Sequence, residues 1–103
     1  MKIKKTIKVT QKHIEEGQPE NCTKCAVALA VKEQFSDYVP SISVIYDEDD
    51  YNHYKIDLHN LDGNFKTKFS KYKTVNIFID KFDRDFKSTE LKPFEFELTA
   101  YKV

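Results

Sequence analysis

Apolar and polar residues alternate from position 3 to position 9, and the apolar ones fall on a single face. Successive side chains of a β-strand point to opposite faces, so this alternation predicts a strand with one buried face, on which Lys5 is the exception. Thr10 follows as a good N-cap for a short helical turn, and Gly17 is expected to end that turn in the left-handed conformation. The chain up to Gly17 therefore predicts a strand followed by a turn of helix.

A nearly unbroken apolar run indicates a buried helix in the first half of the chain. The predicted helix runs from Cys22 to Phe35, with Asn21 as its N-cap. Its alanines favour helix, and its apolar residues lie all round the helix axis. A helix with this distribution is expected to be buried on more than one side.

The middle of the chain predicts a pair of strands. Residues 41–46 form one largely apolar stretch, and residues 53–59 alternate between inward and outward positions. The acidic segment 47–50 between them is expected to form the loop of a β-hairpin. Gly63 marks a further turn, and the lysine- and aromatic-rich residues 65–73 are expected to form a solvated loop.

The period of the pattern changes in the last third of the chain. Between residues 74 and 86 the apolar residues recur three and four positions apart, which predicts an amphipathic helix, and residues 94–101 alternate as a final strand. The complete order is β-α-β-β-α-β in a single domain that spans residues 1–103. This is the order of a ferredoxin-like α+β fold, in which an antiparallel sheet carries two helices on one face.

The balance of acidic and basic residues argues against a nucleic acid as the partner. The 103 residues contain 17 basic and 17 acidic side chains, so the formal net charge is zero. A neutral domain has no overall field to attract a phosphate backbone, and nucleic-acid binding would need a local patch, for which the candidates are Lys66, Lys68, Lys71 and Lys73. Direct nucleic-acid binding is therefore not expected. The sequence shows no secretion signal and no apolar run of membrane length, so we expect a cytoplasmic protein with reduced cysteines.

Both cysteines lie at the start of the predicted helix, as Cys22-Thr23-Lys24-Cys25. Positions i and i+3 share a helix face, so both sulfurs can approach one point, and the helix N-terminus favours a thiolate. A redox pair is one interpretation, because the placement resembles that in thioredoxin-like proteins, whose CxxC also opens a helix. Those proteins carry the motif directly after a core strand, whereas a polar loop precedes it here.

A structural zinc site is the interpretation that the sequence favours. The thiolates of Cys22 and Cys25 supply half of a tetrahedral shell, and His13 is close enough in sequence to be the third ligand. His53 and His59 cannot both complete the shell, because six residues along a strand separate them by roughly 20 Å. Either of them alone is a candidate for the fourth ligand. In the third interpretation the cysteines pack as small buried hydrophobic residues.

Known catalytic motifs do not occur in the sequence. There is no phosphate-binding glycine loop, no GxSxG and no evident grouping of a serine, a histidine and an acid. We therefore expect a protein that is not an enzyme.

Four blocks of the sequence resemble segments of known small proteins: VTQKHIEEG, CTKCAVALAVK, FIDKFDRDF and LKPFEFEL. With a CxxC that opens an alanine-rich helix and a closing Pro-Phe-x-Phe strand, the chain resembles a family of small, mostly uncharacterised bacterial and phage proteins. The matching blocks fall at both ends of the chain, and residues 36–74 match nothing in that pattern. In size and setting the family is similar to phage anti-CRISPR proteins that block Cas9, some of which bind a metal. The resemblance implies a protein that inhibits a Cas9-type host defence nuclease by protein–protein binding in the host cytoplasm, and the zinc expected at the cysteines would stabilise its N-terminal half.

Overall fold

The computed structural model describes residues 2–18, 21–46, 52–85 and 91–102. Within these ranges the elements, in chain order, are β1 (Lys2–Val9), α1 (Gln11–Glu16), α2 (Ala26–Gln34), β2 (Val39–Tyr46), β3 (Asn52–Asn60), β4 (Gly63–Phe69), α3 (Tyr72–Asp85) and β5 (Phe94–Lys102). The strands form one sheet in the order β1-β5-β4-β3-β2, and every neighbouring pair is antiparallel. The predicted α+β class with an antiparallel sheet is confirmed.

β4 is the main departure from the predicted order of elements. The sequence predicts a solvated loop over residues 65–73, whereas the structure has a strand in which Phe65 is buried and Lys66 and Lys68 are exposed. β4 lies between β3 and β5 in the sheet. The short helical turn predicted after β1, with Thr10 as its N-cap, is confirmed as α1, which the predicted order did not count as a helix. The βαββαβ order with two helices, and with it the ferredoxin-like arrangement, is therefore not confirmed.

The hydrophobic core lies between the helices and one face of the sheet. The strand register sets buried residues opposite each other, as with Ile7 and Phe96 at the pairing of β1 with β5. The largest fully buried side chains come from both layers and from the segment after α2: Phe35, Phe82, Phe96, Ile7, Ile56, Leu58, Leu98, Val9, Val27, Val31 and Val75. Lys5, the exception on the apolar face of β1, places its Nζ 5.6 Å from the ring centroid of Phe35.

The helices begin and end at somewhat different residues from those predicted. α2 begins at Ala26 rather than at Cys22, and Cys25 occupies its N-cap position. α3 covers nearly the predicted range, but position 86 and the predicted hairpin loop at 47–50 lie outside the described residues. No helix in the described part of the chain combines the length and the apolar character needed to cross a membrane.

Gly17 fills a space in which no side chain fits. Its backbone is extended, with φ −67° and ψ 150°, so the predicted left-handed conformation is wrong. A Cβ at this position would lie 2.7 Å from the backbone nitrogen of Ala26, 2.8 Å from the carbonyl oxygen of His13 and 2.9 Å from Cζ of Phe82. These separations are shorter than van der Waals contact, so glycine is required here because α1, α2 and α3 meet at this point.

The edge strand β2 accommodates a proline. The backbone N–H of Ile42 points away from β3 and donates to the carbonyl of Cys22 at 2.8 Å. Pro40 lies two residues earlier, so its nitrogen faces the same outer side. Because that side of an edge strand makes no ladder hydrogen bonds, proline costs the sheet no hydrogen bond.

Candidate functional site

The CxxC segment forms a turn that is capped by a single asparagine. The side-chain oxygen of Asn21 accepts hydrogen bonds from the backbone N–H groups of Thr23 and Lys24 at 3.1 and 3.2 Å. The backbone carbonyl of Asn21 accepts from the N–H of Cys25 at 3.0 Å, which closes the turn. Asn21 therefore caps a chain segment, as predicted, but that segment is the turn before α2 rather than α2 itself.

Backbone hydrogen bonds attach this turn to the elements on both sides of it. The carbonyl of Cys22 accepts from the N–H of Ile42 on β2 at 2.8 Å, and the carbonyl of Lys24 accepts from the N–H of Gln18 at the same distance. The carbonyl of Cys25 accepts from the N–H of Leu29 at 2.9 Å, as the first turn of α2 requires. Both cysteines are consequently held in fixed positions relative to the sheet edge and to the start of α2.

The two cysteines share one pocket but differ in exposure. Cys22 is exposed, whereas only 4% of Cys25 is accessible to solvent, and both thiols are free. The pocket has a volume of ≈ 140 Å³, and its other lining residues are Asn21, Ile42, Tyr54, Ile79 and Asp83. Cys22 is therefore the cysteine that is more accessible to a molecule in solution.

α3 supplies the acidic side of this pocket. The N–H of Tyr54 on β3 donates to Oδ1 of Asn76 at 2.7 Å, and the hydroxyl of Tyr54 donates to Oδ1 of Asp80 at 3.3 Å. These bonds hold α3 against β3. Because positions three apart share a helix face, Asp83 lies on the same side of α3 as Asp80 and lines the pocket. The sequence predicts the apolar face of α3 but not this polar contact, since nothing in the pattern places α3 beside the cysteines.

The buried cysteine is held in its neutral form. Burial raises the pKa of the Cys25 thiol from 9.0 to about 11. The backbone amides of Ala28 and Val27 lower the pKa, and the nearby carboxylate of Asp83 raises it further by repelling a thiolate. For Cys25, burial therefore outweighs the start of α2, which by itself favours a thiolate.

The raised pKa of Cys25 predicts slow alkylation. In a Cys22→Ser variant, iodoacetamide is expected to modify Cys25 about 100-fold more slowly at pH 8 than it modifies the unfolded chain, because two pKa units lower the thiolate fraction about 100-fold. The rate should rise about tenfold per pH unit and level off near pH 11. Adding Asp83→Asn should move this midpoint to lower pH but keep it above 9.0, because burial is the larger cause. Mass spectrometry of quenched reactions measures the rates, and a folded-state midpoint at 9.0 would contradict the prediction.

His13, the predicted third metal ligand, is engaged in contacts of its own. Its ring is buried; Nδ1 accepts from the N–H of Thr10 at 2.9 Å, and Nε2 lies 2.6 Å from Oε1 of Glu33. Because Nδ1 is an acceptor from Thr10, Nε2 carries the proton and donates to Glu33. The hydroxyl of Thr10 in turn accepts from the N–H of His13, which completes a reciprocal cap of α1. Nδ1 therefore stabilises the N-terminus of α1, and Nε2 joins α1 to α2.

The described residues do not bring the predicted zinc ligands together. Cys22 and Cys25 share a pocket, but His13 does not line it. His59 is exposed and pairs with Val39 and Asn64 in the sheet, and the side chain of His53 lies outside the described part of the structure. No group of three or more histidine, cysteine or acidic residues among the described ones is arranged to hold a metal ion. A zinc ion at Cys22, Cys25 and His13 stays a prediction.

Comparisons with known proteins returned no relative. No family model matches the chain, and neither a curated protein nor a solved structure matches it. The resemblance to small phage proteins and the inhibition of a Cas9-type nuclease therefore stay predictions, and a pull-down against host nucleases is the measurement that addresses them.

Proposed function

We propose that the chain is a thiol–disulfide exchange protein in which Cys22 is the attacking thiol and Cys25 the resolving thiol. The observation that supports this most is the unequal exposure of two cysteines in one pocket: Cys22 is exposed to solvent, and Cys25 is buried. Exchange requires an attacking sulfur that is accessible to the substrate. The resolving sulfur has to reach only the attacking sulfur, so it can be buried.

The exchange proceeds in two steps. The Cys22 thiolate attacks one sulfur of a substrate disulfide R–S–S–R′, forms the mixed disulfide Cys22–S–S–R and releases R′–S⁻, which takes a proton from water. Cys25 then loses its proton, attacks Sγ of Cys22 and expels R–S⁻, which is also protonated. Two electrons and two protons pass to the substrate, and a Cys22–Cys25 disulfide remains.

The turn geometry supports the second step. Both cysteines belong to the turn closed by the bond from the Cys25 N–H to the Asn21 carbonyl. Residues three apart in such a turn have Cα atoms within about 7 Å, and disulfides bridge Cα separations of about 4.4–6.8 Å. Because the carbonyl of Cys22 is fixed to β2, little ordering is needed before Cys25 attacks.

A zinc site has less support from the same residues. Four ligands are needed for a structural zinc ion, and the pocket offers Cys22, Cys25 and the single carboxylate of Asp83 among its described lining. We therefore place redox exchange ahead of zinc binding, although the sequence alone favours the metal.

A thiol titration tests the proposal. Reduced protein is equilibrated with glutathione redox buffers of increasing oxidation, quenched with acid and alkylated, and its mass is measured. We expect the wild type to lose two thiols together and to form an intramolecular disulfide. We expect Cys25→Ser to accumulate a glutathione adduct at Cys22. We expect Cys22→Ser to form neither product, because the Cys25 thiol is buried and largely protonated and so does not attack glutathione disulfide. Thr23→Ser changes one of the two residues between the cysteines and keeps the hydroxyl that donates to Oδ1 of Asn21 at 3.1 Å, so it is the matched control and should titrate like the wild type.

Two results would contradict this function. One is an oxidised wild type that carries a glutathione adduct but never an intramolecular disulfide. The other is protein, purified without added zinc, that retains one equivalent of zinc at Cys22 and Cys25 and resists oxidation until a chelator is added.

A further inference from the structure

The sheet face opposite the helices is open and carries an excess of positive charge. Its described side chains are exposed or half-buried, and none is buried. The charged residues on it are Lys2, Lys4, Lys8, Lys55, Lys66, Lys68, Asp57, Glu95 and Glu97. Six lysines against three carboxylates leave a formal charge of +3 on a chain whose total formal charge is zero. One face of the sheet is therefore basic although the chain as a whole is neutral.

The strand register arranges four of these lysines around one tyrosine. On β5, Tyr101 pairs with Lys2 of β1 on one side and with Lys66 of β4 on the other. In the next row, Thr99 pairs with Lys4 and Lys68. Neighbouring strands lie about 4.8 Å apart and alternate residues about 6.7 Å apart, so the four lysine Cα atoms outline an area of about 10 by 7 Å. We call this area, with Tyr101 in it, the Tyr101 patch.

Most of the positive charge of the Tyr101 patch is not neutralised by neighbours. The Nζ of Lys4 lies 3.1 Å from Oε2 of Glu97, so this lysine has a partner. Among the described residues, Lys2, Lys66 and Lys68 form no ion pair. Three lysines on two strands are therefore available to an anion, and the half-buried ring of Tyr101 lies between two of them.

We propose that the Tyr101 patch binds single-stranded nucleic acid, with phosphates on Lys2, Lys66 and Lys68 and an unpaired base stacked on Tyr101. An anionic polymer matches the spaced positive charges. The aromatic ring between them favours a single strand, because only unpaired bases offer a free face for stacking. The binding is independent of the exchange reaction proposed above, since the cysteines lie on the helix side of the sheet and the patch lies on the other.

Fluorescence anisotropy with a labelled oligothymidine of 12 nucleotides tests the proposal. We expect salt-dependent binding whose logarithmic slope against salt is about −2, as three phosphate contacts predict for a single strand. Lys66→Glu with Lys68→Glu should weaken binding at least tenfold. Tyr101→Ala should weaken it several-fold, whereas Tyr101→Phe should retain it because the ring remains.

A charge-matched control distinguishes binding at the Tyr101 patch from a general effect of net charge. Lys12→Glu with Lys81→Glu makes the same change in net charge at exposed positions on α1 and α3 and should leave binding within about twofold, since these lysines are remote from the patch. Equal weakening by both double variants would overturn the proposal. So would tighter binding to a duplex of the same length, or binding to phosphatidylserine vesicles with none to the oligonucleotide. Circular dichroism spectra confirm that each variant is folded.

Discussion

Replacing Gly17 with alanine is expected to lower the free energy of unfolding by about 3 kcal/mol, which is a large part of the stability of a domain of this size. The added Cβ would lie 2.7 Å from the nitrogen of Ala26 and 2.8 Å from the carbonyl oxygen of His13. Both atoms belong to the backbone, so relief requires α1 and α2 to separate. Urea denaturation followed by circular dichroism measures the change, and a fall in melting temperature of about 10 to 15 °C should accompany it.

Two further variants identify the cause of that loss. Gly63 has φ +128°, and a Cβ at this position would have no atom within 4 Å. Gly63→Ala therefore measures backbone strain alone and should lower the free energy of unfolding by about 1–2 kcal/mol. The third close atom at Gly17 is Cζ of Phe82, and adding Phe82→Leu to Gly17→Ala relieves this contact. Phe82→Leu alone is the reference, because it measures the stability lost with the ring itself. If the double variant were as stable as Phe82→Leu alone, the close approach of the backbone would not be the reason for glycine.

Replacing Phe82 with alanine is expected to lower the free energy of unfolding by about 4 kcal/mol, the largest effect of any single change that we propose. The ring is 1% exposed, is stacked on Phe78 with centroids 6.0 Å apart, and reaches the junction of α1 with α2 beside Gly17. Its removal leaves a cavity where three helices meet, and the backbone around Gly17 cannot collapse into it without breaking the hydrogen bonds of the CxxC turn. Urea denaturation again measures the loss.

The matched control lies on the same helix. Ile77 is 55% exposed, so Ile77→Ala should change the free energy of unfolding by less than about 0.5 kcal/mol. A loss at Phe82 no larger than the loss at Ile77 would contradict the packing described for α3.

Residues with a regular pattern were predictable from the sequence, and those whose role depends on a distant partner were not. Alternation places β1, β3 and β5, an apolar run places β2 from residue 41, and the period of α3 is equally clear. β4 has the same alternation in Phe65, Thr67 and Phe69, but its exposed lysines suggest a loop until the strands on both sides are known. A half-exposed strand between two others is recognisable only from the whole sheet.

Some features of the candidate site were likewise predictable from the sequence, and others depend on residues distant in the chain. That Cys22 and Cys25 lie together follows from their spacing, whereas their unequal exposure follows from β2 and α3, which are distant in sequence. His13 is near the cysteines in sequence, yet its ring nitrogens bind Thr10 and Glu33. Proximity along the chain gives no sign of these partners of the His13 ring, nor of Asp83 in the pocket.

The place of β5 in the sheet has a consequence for synthesis on the ribosome. β5 is the last strand in chain order, yet it lies between β1 and β4. The strands β2, β3 and β4 can pair as soon as they emerge, but β1 has no neighbour in the sheet until residues 94–102 are available. A nascent chain that pauses before residue 94 presents β1 and β4 as unpaired edges. That interval is therefore the one in which the new chain is most open to aggregation.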